Sequence, residues 1–198
     1  MPHLHILGGP NGAGKTTFFE TAILEKFIPP SLPFVNVDLI ARNQLGGYSN
    51  ENFIRADELA RVEISKHIGL SQDFMIESNL ATQRDYAWLD LIRTKGYEVI
   101  LYFLCTEDLE VNYKRVQKRV KEGGHNVAVP IIEHRYKMGL TYLQGKLHIF
   151  KKVYLIDSSS DTALVMAELT SGKIDRKEKF VPNWVEKLLY ISQRLSQH

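Results

Sequence analysis

Eight consecutive residues, Gly9-Pro10-Asn11-Gly12-Ala13-Gly14-Lys15-Thr16, combine pliant backbone with one cation and one hydroxyl. They match the pattern G-x-x-x-x-G-K-[ST] at every position. Glycines let such a loop wrap so that successive backbone N–H groups converge on an anion, and the start of the next helix adds its positive dipole end. In that arrangement the contact run extends from Gly9 to Thr17. Lys15 would bridge the β- and γ-phosphates of a nucleoside triphosphate, and the Thr16 hydroxyl would ligate Mg²⁺. The competing reading is a glycine-rich turn before a helix, with Lys15 in solvent.

Two acids and a set of arginines could act on a phosphate held there. Asp38 follows Phe34-Val35-Asn36-Val37, and Glu77 follows Asp73-Phe74-Met75-Ile76. Phosphoryl transfer to an alcohol needs one carboxylate that orients the hydroxyl and accepts its proton, and a second acid that holds substrate or metal-bound water. Asp38 also precedes a helical stretch, where it would serve equally as an N-cap. Arg115 and Arg119, four apart, share a helix face beside a strip of Val116 and Val120, and Gly123-Gly124-His125 follow, then Arg135. Arginines on a hinged segment suit a lid that brings planar cations to the developing charge as water is expelled. The alternative is a solvated basic helix face that ends in a glycine cap.

These groups need elements to hold them. His3 to Leu7 reads as a strand and Lys15 to Leu24 as a helix, so the glycine loop lies between the two. Phe34–Val37 and Phe74–Ile76 read as further strands, with Glu98–Leu104 a continuous apolar strand of the kind buried in a parallel sheet and Val153–Ile156 the fifth. Helical periodicity runs over Leu39–Gln44, Glu51–His67, Asp85–Thr94, Glu110–Lys121 and Pro130–Leu147. The alternation predicts an α/β fold of three layers: a mainly parallel five-stranded sheet with helices on both faces. Ala163–Leu169 and Ile174–Phe180 read as a hairpin and Pro182–Leu195 as a helix, a C-terminal addition over about residues 163–196 whose expected role is to cover a sheet edge. Trp88 and Trp184 read as core anchors. No repeat or linker divides residues 1–198, which predicts a single domain with a lid at about 113–137.

The 198 residues are 44% hydrophobic and 24% charged, an ordinary globular composition. Cys105 is alone, which excludes a disulfide framework and suits a buried thiol. No stretch approaches the roughly 20 apolar residues of a membrane span. The expected setting is cytoplasmic, with no membrane partner. Net charge is +2, yet residues 113–137 hold seven Lys or Arg against two Glu, so basic charge is concentrated in the lid. Nucleic acid is not the expected partner of so weakly charged a chain, although a polynucleotide kinase is one alternative. A nucleotide-binding switch or ATPase without a small-molecule acceptor is the other. A transport-type ATPase is disfavoured by the lack of an L-S-G-G-Q segment and of an apolar strand ending in Asp-Glu.

Taken together, Gly8 to Thr17, Asn36-Val37-Asp38, Ile76-Glu77-Ser78, Arg115-Val116, Arg119-Val120, Gly123-Gly124-His125, Arg135-Tyr136 and Ile156-Asp157-Ser158 resemble the zeta-toxin-like P-loop kinases, in order from about residue 3 to 160. The resemblance implies an ATP- or GTP-dependent, Mg²⁺-requiring small-molecule kinase. In zeta toxins the acceptor is the 3′-hydroxyl of a UDP-N-acetylhexosamine, and some relatives pair with an antitoxin protein. Carried over by position, Asp38 would be the base facing the acceptor and Glu77 a substrate-side carboxylate. Lys15, Arg119 and Arg135 would surround the transferring phosphoryl, and Arg115 would position the lid. Ser78 and Asn79 stand where many relatives have two threonines, and Ser158-Ser159 replaces an Asn-Ser pair.

Overall fold

The computed structural model describes residues 1–195; residue 196, the end of the expected C-terminal addition, lies outside the described residues. One sheet organises the chain. Strand β1 (His3–Gly8) lies between β3 (Phe74–Ser78) and β4 (Glu98–Cys105), with β2 (Phe34–Val35) beyond β3 and β5 (Lys152–Asp157) beyond β4, all parallel. The five expected parallel strands are therefore present. The hairpin β6 (Leu164–Thr170) and β7 (Lys173–Lys177) does more than cover an edge. It pairs antiparallel with β5 and continues the sheet to seven strands in the order β2-β3-β1-β4-β5-β6-β7. The outer strand β7 carries Lys173, Asp175, Arg176 and Lys177, and charges of this kind discourage further strand pairing at an open edge.

Alternate residues of each strand serve two cores. Leu4, Ile6, Phe74, Leu101, Phe103 and Val153 face one layer of helices. These are α2 (Val37–Gln44), α3 (Asn50–Gly69), α4 (Gln83–Thr94), the later part of α6 (Val129–Leu143) and α7 (Asn183–Leu195). Trp184 of α7 is buried here and approaches Phe103, with ring centroids 6.1 Å apart. On the other face, Leu7, Met75, Tyr102, Leu104 and Ile156 pack against α1 (Lys15–Leu24) through Ala22, Phe18 and Phe19. Helices α5 (Leu109–Lys121) and α6, which carry the segment expected to act as a lid and are called the lid for short, share a small core of Val116, Val127 and Ile132. Val120 remains partly exposed outside that cluster. Helix α6 stops at Leu143, short of the expected Leu147, because Gln144 leaves the helical conformation and Gly145 takes a φ of 72°. A short 3₁₀ turn, Leu147–Ile149, follows.

His5 lies on the α1 face of β1, 8% exposed, with Nδ1 3.3 Å from the Tyr102 hydroxyl. Burial, then the neighbouring His3 charge, push its pKa down to about 4, against a weaker opposing pull from Asp73. Unfolded, the ring takes up a proton near pH 6.5; folded, it does so only near 4. Between these values the unfolded chain binds more protons, so stability falls with decreasing pH. Urea unfolding should show a loss approaching about 3 kcal/mol between pH 6.5 and 4 attributable to this group. His5→Phe should flatten that window, and an unchanged slope would contradict the assignment.

Candidate functional site: a phosphate loop facing two carboxylates and a lid

The loop between β1 and α1 has the shape its glycines foretold. Gly9 has a φ of 130°, and Gly12 and Gly14 each have a φ of 77°, a region where side chains are strained. A Cβ on Gly9 would strike the Leu104 carbonyl, and one on Gly12 the Asn112 carbonyl. The loop is thus pressed against β4 and the lid helix with backbone on both sides. Gly14 in the left-handed conformation caps α1, so Lys15, Thr16 and Thr17 form its first turn, where N–H groups have no partner within the helix. Ser158, at the end of β5, supports the loop from below by donating to the Ala13 carbonyl at 2.8 Å.

Lys15 is 6% exposed. Its Nζ donates to the carbonyls of Gly9 at 2.7 Å and Pro10 at 3.1 Å and lies 3.4 Å from Glu77 Oε1. Burial lowers its pKa from the usual lysine value, and Arg119 adds to this; Glu77 and then Asp38 pull it back up. Glu77 is thus the direct partner of the loop cation, and Asp38 acts on it more weakly from across the cleft. Glu77 lies within β3, in register with Leu7, which is why two strands distant in sequence deliver it to the loop. Asp38 is not the helix cap that its position allowed. Asn36 caps α2 by accepting from the Leu39 N–H at 3.0 Å, and Asp38 lies in the first turn with its carboxylate lining the cleft.

That cleft has a volume of about 1140 Å³ and joins the loop to Asp38, Glu77 and the lid. Among the predicted residues it gathers Asn11 through Thr17, Asp38, Glu77, Arg115 and Arg119. Gly9 and Pro10 lie deeper and meet the site through their carbonyls on Lys15. Arg119 donates to the His125 carbonyl at 2.9 Å and leaves its Nε buried without a partner. Arg115 donates to the Ser160 carbonyl at 3.0 Å and leaves Nη1 in the same condition. Each side chain lines the cleft and keeps one buried N–H donor without a protein partner. Arg135 is placed differently: it reaches the loop from the lid side, donating to Asn11 Oδ1 at 2.8 Å, and does not line the cleft.

Three supporting residues were not singled out by the sequence. Asn112, fully buried in α5, donates to the Asn11 carbonyl at 2.7 Å and pairs through its own oxygen with Thr106. Its signal was a polar side chain one helical turn before Val116 on the apolar side of α5. Tyr48 and Phe53, from the loop after α2 and the start of α3, lie against each other and pack the His125 ring at centroid distances of 5.9 and 4.4 Å. His125 is thus a packed contact between the lid and α3, and burial lowers its pKa while Asp38 acts in the opposite sense.

Known proteins share this architecture. No protein-family model matches the chain. An uncharacterized protein of Haemophilus influenzae is 30% identical over 82 residues, 41% of this chain and 56% of that protein. The crystal structure of AvrRxo1-ORF1:-ORF2 with ATP superposes with a TM-score of 0.67 at 17% identity, covering 96% of this chain and 64% of the matched one. The PezAT chromosomal toxin–antitoxin system of Streptococcus pneumoniae gives 0.60 at 18% identity, covering all of this chain and 84% of the other. The chain shares its overall α/β fold with these two structures. It spans just over half of the Haemophilus protein and under two thirds of the AvrRxo1 chain. Within that fold the P-loop, the strand-end glutamate and the lid occupy one cleft, as described above.

The tight seat of the P-loop gives a direct test. Gly12→Ala adds a side chain in a strained backbone region, at about 1–3 kcal/mol, and against the Asn112 carbonyl. Nucleotide affinity measured by calorimetry should fall about ten- to a hundredfold. Affinity within twofold of the parent would show that the loop does not hold the ligand.

Proposed function

We propose that this protein is a kinase that transfers the γ-phosphate of ATP or GTP to a hydroxyl group on a small molecule. The observation that carries the reading is the convergence of Lys15, Asp38, Glu77 and Arg119 on a single cleft above the P-loop. A buried loop lysine needs one acid to balance its charge, which Glu77 provides, but a simple anion-binding loop has no need of a second such as Asp38. A transferase does, because the acceptor alcohol must lose a proton as the phosphoryl arrives.

The chain's own residues divide the work by position. The backbone of Asn11 to Gly14 and the first turn of α1 line the cleft and would face the phosphates. Lys15, already held by Glu77, supplies a fixed cation that costs little reorganisation during the reaction. Asp38, at the cleft wall on α2, would accept the acceptor proton, and Arg119 would bring the lid's positive charge to the γ-phosphate. Arg135 would act through the P-loop, by holding Asn11. The Thr16 hydroxyl, exposed in the cleft at the first turn of α1, fits a Mg²⁺ ligand. Among the described residues no group of three or more His, Cys, Asp or Glu could cage a metal, so the ion would draw most of its ligands from phosphate and water. Bound Mg²⁺ neutralises charge on the β- and γ-phosphates.

AvrRxo1-ORF1:-ORF2 was crystallised with ATP, which supports ATP as donor. The zeta-toxin resemblance makes a nucleotide sugar such as a UDP-N-acetylhexosamine the first acceptor to try. PezAT is a toxin–antitoxin system, and a partner of the antitoxin kind is part of the proposal. The purified protein, given γ-labelled ATP, Mg²⁺ and a cell metabolite extract, should yield a new phosphometabolite identifiable by mass. Asp38→Asn should reduce transfer by at least about a hundredfold, the usual weight of a positioned base, with ATP affinity kept within about threefold. Equal transfer by Asp38→Asn and parent would remove Asp38 from the mechanism. Bound nucleotide with no transfer to any metabolite would favour a switch.

A further inference from the structure

Asn36 is 5% exposed and is neither a cation nor an acid, yet both faces of its amide are committed. Oδ1 accepts the Leu39 N–H at 3.0 Å and caps α2. With the oxygen fixed in that role, Nδ2 is turned to the other side, where it donates to Glu77 Oε2 at 2.7 Å. The other oxygen of the same carboxylate, Oε1, is the one 3.4 Å from Lys15 Nζ.

Capping alone does not account for this choice of residue. Ser and Asp cap as well as Asn does. Asn differs in presenting an acceptor and an N–H donor on opposite sides of one planar group, long enough to bridge a helix terminus and a carboxylate. A glutamate side chain left to itself has several rotatable bonds and loses entropy when ordered. With Oε2 engaged by the amide, Oε1 is directed at the lysine.

We propose that Asn36 is a positioning residue for the phosphoryl-transfer site. Its amide holds Glu77 against Lys15 and ties that pair to the first turn of α2, which carries Asp38. Three groups from α1, β3 and α2 are thereby set in one frame through a fourth that need not touch the substrate. The inference rests on the proposed kinase function for its kinetic consequence, while its geometric part stands independently.

Asn36→Ser keeps a capping oxygen and removes the amide N–H. Asn36→Asp keeps the cap and sets a carboxylate against Glu77. The melting temperature of Asn36→Ser should stay within about 4 °C of the parent, because the cap survives. Transfer rate should fall at least about tenfold, with KM for nucleotide moving less than about threefold. In a crystal structure of Asn36→Ser, the Glu77 carboxylate should leave Lys15 while α2 stays in place. Glu77 remaining on Lys15 in that variant overturns the proposal whatever the rate, as does a fall in rate that merely follows a fall in melting temperature. If the parent binds nucleotide but transfers no phosphate, the kinase reading fails and the crystallographic result alone decides the role of Asn36.

Discussion

A buried positive charge governs this molecule. Taking an ammonium group out of water costs several kcal/mol even after the surroundings relax, and Lys15 is almost wholly withdrawn. The structure offsets that cost with two loop carbonyls and the Glu77 carboxylate. Each requirement places a demand on the chain. The carbonyls of Gly9 and Pro10 can turn inward only because Gly9 adopts a backbone conformation that other residues avoid. The carboxylate is at hand only because β3 lies parallel to β1 with Glu77 beside Leu7. An ammonium restrained in this way, next to unpaired helix N–H groups, forms a preorganised seat for phosphate.

The lid is fastened to the same loop from the other side. Asn112 and Arg135 grip Asn11 through its backbone and its side chain respectively, and Gly12 has no room for more than a hydrogen where α5 passes. Arg115 and Arg119 extend from the same helix into the cleft, each with a buried donor still unused. Beyond Gly124, His125 packs its ring against Tyr48 and Phe53, while its carbonyl receives Arg119. The three arginines of this segment are therefore held close to the P-loop, while Lys114, Lys121 and Lys137 are exposed. This makes a structural case for phosphate as the arginines' counterpart.

Much of this was legible because it is local. The P-loop announces itself through glycines and a lysine at fixed spacing, α1 came out with the expected bounds Lys15–Leu24, and five strands read correctly from apolar runs. What eluded the sequence depends on partners distant along the chain. Asp38 read equally well as the cap of α2, and only the folded helix shows that Asn36 caps while Asp38 lines the cleft. Arg135 looked like one more phosphate ligand, whereas its reach to Asn11 depends on how α6 packs. The hairpin was recognisable, but its pairing with β5 rests on a register between separate segments. Local periodicity does not encode that register. His125 could not be told from a surface histidine until α3 supplied its aromatic neighbours.

The central claim is that the γ-phosphate lies between the Lys15 ammonium and the Asp38 carboxylate. A crystal structure with a non-hydrolysable ATP analogue and Mg²⁺ tests it most directly. The account predicts the terminal phosphate in contact with Lys15 and the P-loop N–H groups, with the Asp38 carboxylate across from it and space for one hydroxyl between them. A triphosphate bound elsewhere, or an Asp38 turned away with the lid closed, would contradict it.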